Sequence, residues 1–422
     1  MNLAEFSYAS LVTLAGATAR ALRRGLPAGW RLRLEAEAPE GLPEGRWIWL
    51  HAVSVGELLL AEGLLSRLRD AGHRVHVTTG TPAGMDLLRE RLPRWDAGSA
   101  RVSGGAFPVD DGTGLRTFLR DRPGLFIALE TELWPNLLRR LREAGVPCAV
   151  VNGRLTGKSL SKGGAWMRAA ARRLDLVAAR DAASVAAFRA LGAPQVALGG
   201  NLKADLPPPP ELHAGWAHLR SAWSGDPVLV IGNTIAGEEA PLLDLWAGLR
   251  STHPQLRLIL APRQPRRFDE VAALMAARIP TLRRASEPWP DGPEGWRETE
   301  ALLLDTLGEL PRVYGEGDLA LVGGGWAGEG GHNPLEPLRL GVPTLIGPGY
   351  SNFEDLVAPL RTAGALGVVG LEALPDRCRT QLSGRPGRQE RHPPQVLEGL
   401  MGALDRTWSL LQHLLPQVQA GR

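Results

Sequence analysis

The stretch Trp47-Ile48-Trp49-Leu50-His51-Ala52-Val53-Ser54-Val55-Gly56-Glu57 decides the fold. Residues 47–53 read as a buried strand, Ser54 opens a turn, and residues 57–71 repeat apolar side chains at helical spacing until Gly72 stops them. One βα unit is therefore complete. Working outward, residues 74–79, 124–129 and 147–151 are further strand-length apolar runs, each followed by a polar or glycine-bearing turn and a helix candidate. Runs 228–231, 256–261, 319–322 and 343–346 repeat the pattern. Between the two sets lies Pro207-Pro208-Pro209-Pro210, which fits neither helix nor sheet interior and reads as a linker. The expected fold is α/β, with two doubly wound parallel-sheet domains facing across a cleft, 26–206 and 207–395. Residues 376–394 read as loop, 396–415 as a last amphipathic helix, and 396–422 as helix and tail.

A chain of 422 residues suits two domains, and 44% hydrophobic with 22% charged residues excludes wholesale disorder and a polytopic membrane protein. Cys148 and Cys378 form no C-x-x-C pair, as expected of a reducing, cytoplasmic compartment. Net charge is +3, with 45 arginines against the three lysines Lys158, Lys162 and Lys203. Such a bias marks any lysine as a position that needs an ammonium. Residues 6–19 are uncharged but shorter than a spanning helix and broken by serine, threonine and glycine. Glu5 precedes this run and Arg20, Arg23 and Arg24 follow it, the reverse of a secretory signal. With Trp30, Arg31 and Arg33 downstream, residues 1–25 are expected to form an interfacial helix whose arginines meet anionic headgroups.

In open parallel sheets ligands bind beyond the carboxyl ends of the strands, so five loops carry the candidate chemistry. Ser54-Val55-Gly56-Glu57 is a capping box, yet partial burial at a cleft would also raise a glutamate toward the range of a general base. Glu130-Thr131-Glu132 follows a strand, and alternate residues of an extended segment share a face, so both carboxylates could converge on a polyol. Asn152-Gly153-Arg154-Leu155-Thr156-Gly157-Lys158-Ser159 mimics a phosphate loop but has Asn152 where the first glycine belongs. Gly200-Asn201-Leu202-Lys203 places a rare lysine beside the linker. The last loop runs from Gly323-Gly324-Gly325 to Gly330-Gly331-His332-Asn333-Pro334-Leu335-Glu336-Pro337. Its glycines permit close approach, and a helix starting near Pro334 would offer N–H groups and a positive dipole end to a phosphate. Glu336, one turn in, would accept from ribose hydroxyls.

No H-E-x-x-H, C-x-x-C or D-x-D occurs, so no metal and no other cofactor are expected. Ala52-Val53-Ser54-Val55-Gly56 resembles a nucleophile elbow with alanine for the first glycine, but lacks the setting of a hydrolase.

Taken in order, these loops together with Gly237-Glu238-Glu239, Pro262-Arg263 and Gly308-Glu309-Leu310 resemble the 3-deoxy-D-manno-octulosonic acid (Kdo) transferases of lipopolysaccharide synthesis, over about residues 45–360. The resemblance implies a GT-B glycosyltransferase with two Rossmann-like domains, the first holding the acceptor and the second CMP-Kdo. It implies inverting transfer of Kdo to the 6′-hydroxyl of a lipid A precursor, lipid IVA, on the cytoplasmic face of the inner membrane. Glu57 maps to the family's base. Lys203, Arg263, Gly330, Gly331, His332, Asn333 and Glu336 are then the donor residues, and Ser54, Gly56, Glu130, Glu132 and Arg154 lie on the acceptor or cleft side. The partners implied are a CMP-sugar, a lipid A precursor and an anionic membrane surface, with no nucleic acid.

Three departures fall on the donor side: Ile235 and Gln264 stand where the family has histidines, and Gly325 where it has serine. They leave open another metal-independent GT-B transferase with a different nucleotide sugar or lipid acceptor, or a non-catalytic nucleotide-sugar-binding homologue.

Overall fold

The computed structural model describes every residue except 1–2, 23–24, 100, 156, 206–208, 329, 385–389 and 418–422, and side chains for the rest except 3–6 and 157–163. The side chains of Lys158 and Lys162, and all of Arg23, Arg24 and the first half of the proline run, therefore lie outside what is described.

Seven strands form a wholly parallel first sheet: β1 (Trp47–His51), β2 (Arg74–Thr79), β3 (Val102–Ala106), β4 (Leu125–Leu129), β5 (Cys148–Gly153), β6 (Leu176–Ala179) and β7 (Val196–Leu198). Their order is β3-β2-β1-β4-β5-β6-β7, so the winding reverses between β1 and β4. All five β1 residues are fully buried, because helices cover the sheet on both faces. Ile48 and Leu50 point to one apolar cluster and Trp47 and Trp49 to another.

A second parallel sheet contains β8 (Val228–Thr234), β9 (Arg257–Pro262), β10 (Leu282–Arg284), β11 (Ala301–Leu303), β12 (Leu319–Val322), β13 (Thr344–Ile346) and β14 (Gly367–Val368). Its order is β10-β11-β9-β8-β12-β13-β14, which reverses between β8 and β12. The chain divides into Met1–Asp205 with Met401–Arg422, and Leu206–Leu400.

Two expectations fail for local reasons. Within residues 376–394, expected as loop, the helix Leu374–Ser383 buries Leu374, Cys378 and Leu382, a spacing of four that its polar composition hides. The amphipathic stretch beginning at Val396 is two helices, Val396–Leu400 and Ala403–Leu411, parted by Gly402 at φ +79°. Asp205 accepts from Gly402 N–H at 2.6 Å and from Leu404 N–H, and Leu411 joins the first unit's core.

The helix Leu3–Ala21 turns Tyr8, Gly16, Ala19 and Arg20 toward the first unit. Tyr8 donates to Asp110 at 3.0 Å, and the Arg20 guanidinium meets Asp111 at 2.6 and 3.0 Å. Leu11, Leu14 and Leu22 remain 66%, 66% and 62% exposed, an apolar stripe along the outer side. Of the arginines expected at headgroups, Arg20 is thus paired inward and Arg33 points into the domain.

Candidate active site

In the first unit the site residues gather where the strand order reverses, at the carboxyl ends of β1 and β4. Ser54 caps the helix Val55–Asp70 and Glu57 reaches back to it. Glu57 Oε2 accepts from Val53 N–H at 2.8 Å, Ser54 Oγ donates to Glu57 Oε1 at 3.1 Å, and Glu57 N–H donates to Ser54 Oγ at 3.4 Å. The capping box is complete, and one edge of the carboxylate is committed to it. Burial, and secondarily the charge of Glu130, nonetheless hold the Glu57 carboxyl above the ordinary range. Gly56 is exposed, and a Cβ built there would find its first neighbour, Ser54 Oγ, at 3.9 Å. No protein atom forbids a side chain at that point.

Glu130 and Glu132 share this region, but not through an extended segment. Glu130 is left-handed at φ +57°, and Leu133 N–H closes back onto Thr131 O at 2.8 Å, so a tight turn brings them together. Burial, then the Glu57 charge, pushes Glu132 up to about 7. His51, fully buried against the Phe107 ring at 3.7 Å, has its Nδ1 3.1 Å from Thr78 O. Burial lowers His51 to about 3, so the ring is neutral. A carbonyl only accepts, so Nδ1 carries the proton and the unprotonated Nε2 faces Glu132 Oε2 at 3.9 Å.

Behind these carboxylates lies Arg33, its guanidinium 4.6 Å from the Trp134 ring and 5.5 Å from Phe107, donating to Pro108 O at 3.0 Å. Asp110, raised to about 7 by burial, accepts from Asn136 and Leu137 N–H at 3.1 and 2.7 Å and thereby caps the helix Pro135–Glu143. Neither residue was singled out for the site from sequence. Arg33 lies outside every βα loop, and Asp110 sits in a loop with no motif.

At the end of β5, Asn152 is left-handed at φ +51°, and its buried Oδ1 accepts from Leu202 N–H at 3.0 Å. It joins the N-G-R-L loop to the short turn Leu202–Ala204 that carries the half-buried Lys203. Lys203 therefore belongs to the first unit. Arg154 O accepts from Thr131 Oγ1, while the Arg154 guanidinium makes no hydrogen bond or ion pair among the described residues.

In the second unit, Arg263 follows β9 and its exposed guanidinium makes no hydrogen bond or ion pair among the described residues. Burial, then the Arg263 charge, lowers His332 to about 4. Burial raises Glu336 to about 7 against the opposing charges of Arg339 and Arg263. These groups and the buried Tyr314 form one electrostatic neighbourhood beyond β8 and β12. The expected helix dipole is absent in practice. Leu335–Leu338 is a single turn, Pro337 has no N–H, and Leu335 N–H is taken by Asn333 Oδ1 at 3.0 Å.

The three sequence departures also have places. A Cβ on Gly328 would lie 2.9 Å from Ile235 Cδ1, so Ile235 packs on the glycine-rich loop. Gln264 is exposed and accepts from Arg266 Nε at 3.0 Å. A Cβ on Gly325 would come within 2.9 Å of Gly349 O, which a serine could not tolerate without a backbone shift. Among the described residues no three His, Cys, Asp or Glu side chains are grouped to hold a metal ion.

Residues 28–206 match the family described as 3-deoxy-D-manno-octulosonic-acid transferase (kdotransferase). The chain is 35% identical over 345 residues to the 3-deoxy-D-manno-octulosonic acid transferase of Bordetella pertussis, covering 79% of this chain and 78% of that one. It is 33% identical over 387 residues to the enzyme of the same name from Haemophilus influenzae, covering 88% of each. Among solved structures, the UDP-GlcNAc 2-epimerase of Neisseria meningitidis bound to UDP-GlcNAc is similar at TM-score 0.55 and 14% identity, over 87% of this chain and 99% of that one. At that identity the likeness shows the fold alone.

Proposed function

The chain belongs to the 3-deoxy-D-manno-octulosonic acid transferase family, and from that premise we propose that it moves Kdo from CMP-Kdo to the 6′-hydroxyl of a lipid A precursor, with Glu57 as general base. The observation that carries this reading is the Glu57 carboxyl, anchored by its capping box yet raised above its ordinary range at the reversal point of the first sheet.

In this reading the first unit holds the acceptor and the second the donor. As the acceptor oxygen forms its bond to the anomeric carbon of Kdo, its proton passes to a Glu57 oxygen. The bond from that carbon to the CMP phosphate oxygen breaks on the opposite face, which inverts the centre. A base that starts partly desolvated takes a hydroxyl proton more readily than a fully solvated carboxylate. The electron pair leaves with CMP, whose charge is met by Arg263. Glu336 binds the ribose, while Gly330, Gly331, His332 and Asn333 shape the nucleotide seat. On the acceptor side Glu130, Glu132 and Arg154 meet sugar hydroxyls, and Ser54 and Gly56 leave room beside the base. The family resemblance and an Arg263 guanidinium that makes no hydrogen bond or ion pair among the described residues support these assignments.

The exposed stripe of Leu11, Leu14 and Leu22 supports a helix lying on the anionic inner-membrane surface, where the lipid acceptor resides. No described helix is long and apolar enough to cross a membrane. Incubation with CMP-Kdo and a purified tetra-acylated precursor, read by product mass, tests the proposal. Failure with CMP-Kdo but turnover with another nucleotide sugar would favour the second reading, which Ile235, Gln264 and Gly325 keep open. Titration of CMP against UMP and UDP separates the two directly.

A further inference from the structure

The glycine run Gly323-Gly324-Gly325 reads in sequence as a cradle for a donor phosphate, and the structure gives that cradle another occupant. Glu238, fully buried ahead of the helix Glu239–Leu249, is ringed by main-chain amides. Its carboxylate accepts from Ile235 N–H at 3.1 Å, Gly324 N–H at 2.8 and 2.9 Å, Trp326 N–H at 2.9 Å and Ala327 N–H at 3.3 Å. Amides converging in this way form a nest, the backbone arrangement that elsewhere binds phosphate oxygens. Here the anion is part of the chain, so those N–H groups are unavailable to a ligand.

The glycines serve this internal anion. A Cβ on Gly323 would stand 2.7 Å from Glu238 Oε2, and Gly324 is left-handed at φ +84°, where a Cβ would stand 2.6 Å from His332 Cδ2. The loop is thus pressed between the carboxylate on one side and His332 on the other. Its carbonyls pass the constraint onward: Gly324 O accepts from Gly331 N–H at 3.0 Å and Gly325 O from Gly349 N–H at 2.9 Å. Gly330 O in turn accepts from Asn352 N–H at 3.1 Å. One buried carboxylate therefore ties together the loops after β8, β12 and β13.

We propose that Glu238 is a positioning residue for the nucleotide sugar, an internal anion that templates the glycine-rich loop and so sets where His332 and Asn333 stand. This deepens the donor reading above and rests on it. It also moves recognition of the donor phosphate away from the Gly324, Trp326 and Ala327 amides and onto side-chain cations. A carboxylate is required because every group facing it is a donor, and glutamine would turn an NH2 toward amides that need an acceptor.

The test is Glu238→Gln beside Glu239→Gln in the full chain. Glu239 starts the same helix and is about as deeply buried, but its carboxylate is held bidentately by Arg267 at 2.6 and 3.1 Å and makes no hydrogen bond to the loop among the described residues. Three quantities are read: CMP affinity by calorimetry, the split between KM for CMP-Kdo and kcat, and amide exchange by mass spectrometry. Glu238→Gln should weaken CMP binding and raise KM by about tenfold or more, the effect of one lost hydrogen-bonded position, while kcat at saturation changes by only about twofold. Amides of residues 323–333 should exchange faster while those of 239–249 stay protected. Glu239→Gln should lower the melting temperature and leave CMP affinity alone. Unchanged CMP affinity in Glu238→Gln, unchanged exchange at 323–333, or an equal affinity loss in Glu239→Gln would overturn the positioning role. Wild-type chain that fails to bind CMP would instead overturn the donor reading, and this inference with it.

Discussion

Glu57→Gln separates two tasks that one side chain holds at once. Glutamine keeps the size of the side chain, so its amide oxygen can still accept from Val53 N–H, now 2.8 Å away, and its NH2 can donate to Ser54 Oγ at the present 3.1 Å. What disappears is the charge at the start of the helix, a favourable contribution of roughly 0.3–1 kcal/mol. Relief from burying a carboxylate opposes it and outweighs it, since burial holds the Glu57 carboxyl above its ordinary range. Stability should therefore change by no more than about 1 kcal/mol, or about 2–4 °C in Tm for a unit near 200 residues.

Removal of a general base is a different magnitude. It typically costs about 10²–10⁴ in rate, equivalent to about 3–5 kcal/mol of transition-state stabilisation. The assay is the initial rate of Kdo transfer from CMP-Kdo to a tetra-acylated precursor, with CMP titration as a control that the donor half is intact. The wild-type rate should rise with pH, because only the ionised carboxylate accepts a proton. Its midpoint should lie above the usual carboxylate range, since burial and then Glu130 favour the protonated form. The variant should show no such limb. A rate within about fivefold of wild type, with the same pH limb, would refute the base assignment and leave Glu57 as a helix cap alone.

Gly56→Ala should be neutral or stabilising by up to about 1 kcal/mol, since the site is helical and open, yet should raise the acceptor KM if substrate approaches there; equal KM values would exclude close approach. Arg263→Ala should weaken CMP binding by about 10–100-fold, the range of a lost charge-assisted contact, with Tm unchanged. The triple change Leu11→Ser, Leu14→Ser, Leu22→Ser should reduce partitioning onto anionic vesicles in flotation while circular dichroism stays native, because these side chains are largely exposed. Asp110→Asn should gain stability relative to wild type as pH rises from about 4 to about 7. In that window the unfolded Asp110 has ionised while the folded carboxyl, held up by burial, still keeps its proton, so wild type loses stability with rising pH. Parallel Tm curves for the two proteins would contradict the assigned direction.

Much of the architecture is legible because its causes are local. The stretch 47–57 announces a buried strand, a cap and a helix within eleven residues, and each signal depends only on neighbours in the chain. Strands β3, β6, β7, β10, β11 and β14 escape notice because they are short or glycine-bearing, and pairing with their neighbours in the sheet makes them strands. The helix Leu374–Ser383 was readable in principle from Leu374, Cys378 and Leu382, but its polar surroundings masked the spacing.

The site divides along the same line. Sequence by itself determined which loops matter, the Ser54–Glu57 box and the family to which the chain belongs, since residue types in order survive without coordinates. Only the tertiary structure decided what those residues experience. It packed the half-buried Arg33 against Phe107 and Trp134 instead of turning it to headgroups, and set Asp110 on a helix twenty-six residues away from it. It reduced the helix after Asn333 to one turn and placed the Glu238 carboxylate in the amide cradle. Desolvation and converging hydrogen bonds depend on atoms from distant elements, and no pattern confined to a few consecutive residues encodes them.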